Sequence, residues 1–194
     1  DVSGKGIPAA ILMSNFQASL RALFTHNIEL ETLVRKLNSI ILINGEWEFG
    51  FFDSMEEIDF ENLKYKINVP SNWQYYSYDY VQYTNFLYPF PYNPPLIPST
   101  NYFGAYKKLI YIEKEKESSY YINFEGVDSA LYLFVNNEFV GYDQVSHSTK
   151  EWDISRYLIT GKNTVCAVVP KWCTGSYLED QDKWRLGGIN RNVY

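Results

Sequence analysis

The aromatic residues of this chain lie on one side of a boundary. Residues 1–42 contain no Tyr and no Trp, whereas all 18 Tyr and all 5 Trp fall from Trp47 onward. A discontinuity that sharp divides the chain into two segments, 1–42 and 43–194, and each is read for its own periodicity.

The first segment reads as helix. Leu12, Phe16, Leu20 and Leu23 recur along one face of a 3.6-residue period, Thr25-His26-Asn27 interrupts them, and Leu30, Leu33, Leu37 and Ile40 resume the pattern. Asn27 suits an N-cap, with Glu29 and Glu31 in the turn that follows. The expectation is a helical hairpin with two apolar stripes, too small to bury them unaided.

The second segment reads as β. Tyr120–Phe124, Ala130–Val135 and Thr164–Val169 are runs rich in β-branched and aromatic residues, bounded by turn-formers. Asn136-Asn137 before Phe139-Val140 predicts a tight hairpin with positive φ. Strands at this spacing, with no helical patterns between them, predict a sandwich or barrel. The aromatic, proline-rich stretch between Pro70 and Pro98 is expected to be irregular and functional.

Composition narrows the function. With 194 residues, 46% of them apolar and 21% charged, the chain reads as globular. A formal charge of −6 argues against nucleic acid as a partner. No apolar run reaches the ~20 residues that span a bilayer, and no signal-peptide pattern opens the sequence, so a cytoplasmic location with no membrane partner is expected. Two Cys and two His make neither a disulfide framework nor a His-rich metal site.

Several blocks of the second segment resemble a known family. Val69-Pro70-Ser71-Asn72-Trp73-Gln74, Tyr83-Thr84-Asn85 and Tyr88-Pro89-Phe90 are similar to the N-terminal sugar-binding domain of glycoside hydrolase family 2 β-galactosidases. Phe124-Glu125-Gly126-Val127-Asp128-Ser129-Ala130, Val140-Gly141-Tyr142 and Gly175–Asp182 followed by Trp184-Arg185-Leu186 continue the resemblance in the family's order. It implies a mainly β chain with a jelly-roll, galactose-binding-like β-sandwich, packed in a complete enzyme against a catalytic barrel domain. It also implies that Asn85 and Asp182 reach galactose hydroxyls, and that Asp182 helps ligate sodium once the missing domain is present. Sodium and magnesium are implied for the complete enzyme, and neither is expected to be bound by this chain. Gly187-Gly188-Ile189-Asn190 departs from the family pattern by replacing a serine and a phenylalanine, and Asn101 lacks a following proline.

The first segment resembles a different family. Asp1-Val2-Ser3-Gly4-Lys5-Gly6-Ile7-Pro8-Ala9-Ala10, with Leu12-Met13 and the helices behind it, looks like metal-dependent protein phosphatases of the sporulation and stress-regulator type. That resemblance makes Asp1 a vestigial metal ligand, since such a site takes several oxygens and the others are absent.

The remaining candidates are weighed by their chemistry. Ser3-Gly4-Lys5-Gly6 lacks the Ser or Thr and the earlier glycine of a phosphate loop. Glu179 and Asp180 are expected to accept hydrogen bonds from loop amides. A glycosidase pair needs two carboxyls across the scissile bond, and in the resembled family both catalytic glutamates belong to the barrel. Trp73, Trp172 and Trp184 are expected to pack, Cys166 to be a small core residue, Cys173 to lie in an exposed loop, and His26 and His147 to be solvated. The function expected is a β-galactosidase fragment that positions galactose for a barrel it lacks and is not catalytic by itself. The alternatives are a regulatory or interaction protein working through the phosphatase-like helices, and an autonomous carbohydrate-binding module. Self-association through the uncovered barrel-facing surface is also expected.

Overall fold

The structure, a computed structural model, describes residues 40–85, 87–179 and 182–194. The helical hairpin, Asp1 and His26 lie outside the described residues, as does Asp180. The chain divides into two units, Asp1–Ile41 and Leu42–Tyr194, and the architecture given below is that of the second.

The described residues are mainly β, with helix limited to short 3₁₀ turns at Met55–Glu57, Trp73–Tyr76 and Thr174–Tyr177. In chain order the strands are β1 (Gly45–Phe52), β2 (Tyr65–Val69), β3 (Gln82–Thr84), β4 (Phe103–Ile112), β5 (Tyr121–Phe124) and β6 (Val127–Asp128). They continue as β7 (Leu131–Val135), β8 (Glu138–Asp143), β9 (Lys150–Asp153), β10 (Gly161–Pro170), β11 (Lys183–Arg185) and β12 (Gly188–Ile189). A six-stranded sheet runs β2-β1-β4-β10-β7-β8, antiparallel throughout. Among the described residues no helix is long and apolar enough to cross a membrane.

Period-2 alternation fills one face of this sheet. Trp47 and Phe49, Ile67 and Val69, Leu131, Leu133 and Val135, and Val165, Ala167 and Val169 are all buried in a single cluster. Ile122, Phe124, Val127, Ile154, Ile189 and Val193 join that cluster from the facing layer, giving a sandwich-like pair of layers. The facing layer is assembled from pieces that are far apart in sequence. The last residues run antiparallel to β5, with Asn123 and Tyr194 exchanging backbone bonds of 2.7 and 3.1 Å. Ile43 donates to the Val193 carbonyl at 2.9 Å, so the start of the unit is stitched to its end.

The other face of the sheet carries a polar-to-apolar row, Glu48–Lys107–Cys166–Phe134–Phe139, in register across five strands. The loop after β1 covers it: Lys107 Nζ donates to the Phe60 carbonyl at 3.0 Å, and the Phe60 and Phe134 rings lie 5.8 Å apart. Cys166 is buried there, and burial pushes its thiol up to about 12. It is an inert packing residue. The β7–β8 hairpin turns at Asn136 and Asn137, with φ of 51° and 67°, as the Asn-Asn pair predicts.

Candidate functional site

The segment after β2 docks onto the segment after β11. Ser71 and Trp73 donate from their backbone to the carbonyls of Ile189 and Gly187 at 2.8 and 3.2 Å. The Asn72 side chain donates to the Leu186 carbonyl at 3.0 Å, and Gln74 accepts from the Gly187 amide at 3.1 Å. Two motifs more than a hundred positions apart are therefore halves of one structure.

Trp73 is the wedge between them and is fully buried. A Cβ built on Gly187 would sit 2.1 Å from Trp73 Cζ2, and one on Gly104 would sit 2.8 Å from the same ring. The departure at Gly187 thus has a steric reason: at this position the indole occupies the space of a side chain. Gly187→Ala should destabilise the unit by about 1–3 kcal/mol, the usual cost of overpacking. Urea unfolding of the variant measures it, and a loss below experimental error would show that Trp73 has room to move.

Below Trp73, Asp79 and Lys171 form an ion pair at 2.8 Å with side chains 2% and 8% exposed. Gln74 Nε2 donates to the same carboxylate at 3.2 Å. Lys171 Nζ also lies over the rings of Tyr80, Trp172 and Tyr102, at 4.6, 5.5 and 5.6 Å from their centroids. A cavity of about 10 Å³ between Gln74, Asp128, Lys171 and Arg185 has room for roughly one water and no sugar.

Above this polar layer β3 and β11 pair as a short ribbon, Thr84 opposite Lys183, Tyr83 opposite Trp184 and Gln82 opposite Arg185. Alternation sorts their side chains. Thr84 and Arg185 are buried, and Arg185 donates to Thr84 Oγ1 at 3.3 Å and to the Glu179 carbonyl at 2.8 Å. Tyr83 and Trp184 are 51% and 58% exposed, with ring centroids 5.1 Å apart. Asn85 and Asp182 are exposed too, and they are the next residues beyond the Thr84–Lys183 pair. The ribbon therefore brings both predicted sugar-binding residues to one end. The Tyr83 hydroxyl donates to Asp182 Oδ1, and that bond to the carboxylate raises the phenol above its ordinary value and keeps it a protonated donor.

The proline-rich stretch folds onto the Thr174–Tyr177 turn. Tyr177 donates to the Leu96 carbonyl at 2.6 Å, Tyr88 donates to the Tyr177 carbonyl at 2.8 Å, and Phe90 meets Trp172 and Tyr177 edge-on. It is not wholly irregular, since Trp73–Tyr76 is a 3₁₀ turn and Gln82–Thr84 is a strand. Trp73 and Trp172 pack as expected, but Trp184 is exposed because it lies on the outward side of the ribbon. Cys173, expected in an exposed loop, is buried, with its sulfur 3.8 Å from the Ser129 carbonyl. Glu179 accepts from the Ser146 amide at 2.7 Å, as loop chemistry suggests. Sequence patterning singled out neither Tyr83 by itself nor the Asp79–Lys171 pair; the period of a strand puts Tyr83 on the same side as Asn85.

The exposed face offers hydroxyl-binding groups: an amide and a carboxylate flanked by two aromatic rings. Among the described residues no group of three or more His, Cys, Asp or Glu is placed to hold a metal ion. A hard cation takes about six oxygens, and Asp182 supplies one carboxylate already engaged by Tyr83.

Comparison with known proteins places these features. The family profile described as "Glycosyl hydrolases family 2, sugar binding domain" matches residues 40–194. That of "Stage II sporulation protein E (SpoIIE)" matches residues 1–55, whose final stretch includes β1 of the sandwich. The β-galactosidase of Actinobacillus pleuropneumoniae is 48% identical over 157 residues, and that of Staphylococcus xylosus 46% over 157. Both alignments cover 79% of this chain and 16% of the relative, so the chain spans about 16% of the length of the curated relatives it matches. Among solved structures, a Bacteroides uniformis β-glucuronidase superposes with a TM-score of 0.58 at 17% identity, covering 79% of this chain and 17% of that one. A Bacteroides vulgatus β-glycosidase gives 0.54 at 22% identity, covering 80% and 20%. At these identities the two structures speak to fold alone.

Proposed function

This chain belongs to glycosyl hydrolase family 2, whose sugar binding domain spans residues 40–194, and from that premise we propose that its sandwich positions galactose in a β-galactosidase-type enzyme. The active site is completed by a catalytic barrel outside this chain. The observation that supports the reading is the convergence of Asn85 and Asp182 at one end of the β3–β11 ribbon, beside exposed Tyr83 and Trp184. The carboxylate accepts from sugar hydroxyls and the amide both donates and accepts, which suits a polyol. In the complete enzyme Asp182 adds one oxygen to a sodium site whose other ligands come from elsewhere.

The same loops carry Leu87, Tyr92, Leu96 and Leu178 at 80%, 68%, 63% and 90% exposure. Apolar side chains so exposed around a polar centre suit a surface that the barrel covers, and without it they favour self-association. The jelly-roll description belongs to this reading, as does the origin of residues 1–42 in a phosphatase-like protein, which rests on the short profile match.

Two preparations test it. A full-length β-galactosidase whose own domain is exchanged for residues 40–194 should hydrolyse a chromogenic galactoside, and the present chain alone should not. Turnover by the purified chain, abolished by changing one acidic residue, would overturn the division of labour, because hydrolysis with retention needs two opposed carboxyls.

A further inference from the structure

We propose that Tyr83 is a positioning residue for Asp182, its hydroxyl fixing one carboxylate oxygen so that a ligand hydroxyl meets the other. The inference rests on the sugar-binding role of Asp182 proposed above and adds a residue to which no role has been given. Its basis is the ribbon's register. Tyr83 stands directly opposite Trp184, and Asp182 lies two positions from Trp184 on the same strand line. Asp182 is thus the diagonal neighbour of Tyr83, at a separation that a long aromatic side chain can bridge. The bond is made, from the Tyr83 hydroxyl to Asp182 Oδ1.

The Trp184 ring packs on Tyr83 at 5.1 Å and an interplanar angle of 51°. That contact limits the rotamers of Tyr83 and aims its hydroxyl along the strand end. Asp182, by contrast, is an exposed short side chain just outside a three-residue strand. Unanchored, it would sample several rotamers, and a ligand would have to freeze one of them. Anchoring it beforehand removes that cost from binding, which is how preorganisation raises affinity. An exposed hydrogen bond contributes little to folding. Its consequence here is therefore expected in ligand binding, with stability unchanged.

Two measurements test this. In the 194-residue chain, the Asp182 β-proton couplings should report one χ1 rotamer in the wild type and averaged rotamers in Tyr83→Phe, with the same melting temperature. Unchanged couplings would overturn the proposal. In a full-length galactosidase carrying residues 40–194, Tyr83→Phe should lower kcat/KM by up to about tenfold, mainly through KM, the cost of freezing one more side chain on binding. In an Asp182→Asn background the same change should cost less than about twofold, because the two residues act as one unit. Equal losses in both backgrounds would show that Tyr83 acts independently and would sink the idea. A harmful Asp182→Asn with a silent Tyr83→Phe defeats this inference alone, whereas a silent Asp182→Asn defeats the sugar-binding reading and this inference with it.

Discussion

Replacing Asp79 with alanine should destabilise the sandwich by about 3–5 kcal/mol, the cost of stripping the partner from a buried charge. Lys171 would remain, with its side chain 8% exposed and no carboxylate at 2.8 Å. The rings of Tyr80, Trp172 and Tyr102 would still face the ammonium. Cation–π contacts are worth roughly 0.5–2 kcal/mol, too little to replace an ion pair that also accepts from Gln74. Gln74 in turn holds the Gly187 amide, so the loss should spread to the contact between the Trp73 and Gly187 segments. Changing Asp79 and Lys171 together to apolar residues of similar volume should be far milder, since no orphaned charge results. Chemical denaturation of the single and double variants decides the matter. A loss under about 1 kcal/mol for Asp79→Ala would mean that water reaches the pair.

Asp182→Asn should leave folding intact and lower kcat/KM for a galactoside by about 2- to 30-fold in a full-length enzyme carrying this domain. The residue is exposed and lies outside the hydrophobic core. The change preserves shape while removing charge, and hydrogen bonds to a charged group contribute roughly 1.5–3 kcal/mol against about 1 for a neutral pair. By the same arithmetic Asn85→Ala should cost about tenfold or less. Response to sodium should weaken with Asp182→Asn, because a neutral amide is a poorer ligand for a hard cation than a carboxylate. Kinetics and sodium response indistinguishable from the unsubstituted enzyme would remove Asp182 from the binding site.

Both expected effects follow from how the ribbon is held. Buried Arg185 ties the inner side of the ribbon to Thr84 and to the Glu179 carbonyl, and the Gln74–Asp79–Lys171 network lies beneath it. The outer side presents Tyr83, Asn85, Asp182 and Trp184, all exposed. A polar layer is costly to bury unless its members are satisfied, and the bonds from Arg185 to Thr84 and to the Glu179 carbonyl hold the inner side of the three-residue strands.

By itself the sequence determined the local features of this protein, and tertiary packing decided the rest. The strands at Tyr121–Phe124, Leu131–Val135 and Gly161–Pro170 lie within a few residues of where β-branched and aromatic runs predict them, because period-2 burial is written into consecutive residues. The Asn136-Asn137 turn was legible because positive φ is a property of one or two residues. Asn85 and Asp182 were singled out only through family motifs. Their meeting depends on pairing β3 with β11, and hydrogen-bond register across such a separation leaves no periodic trace in either strand. The same holds for side chains whose environment comes from elsewhere. Trp73, Trp172 and Trp184 look alike in sequence, yet two are buried and one is exposed. Cys173 is covered by Ser129 and Gln144 from distant loops, and Gly187 makes sense only beneath the Trp73 ring. Backbone preference is local, whereas burial, register and steric fit are set by which distant segments the core brings together.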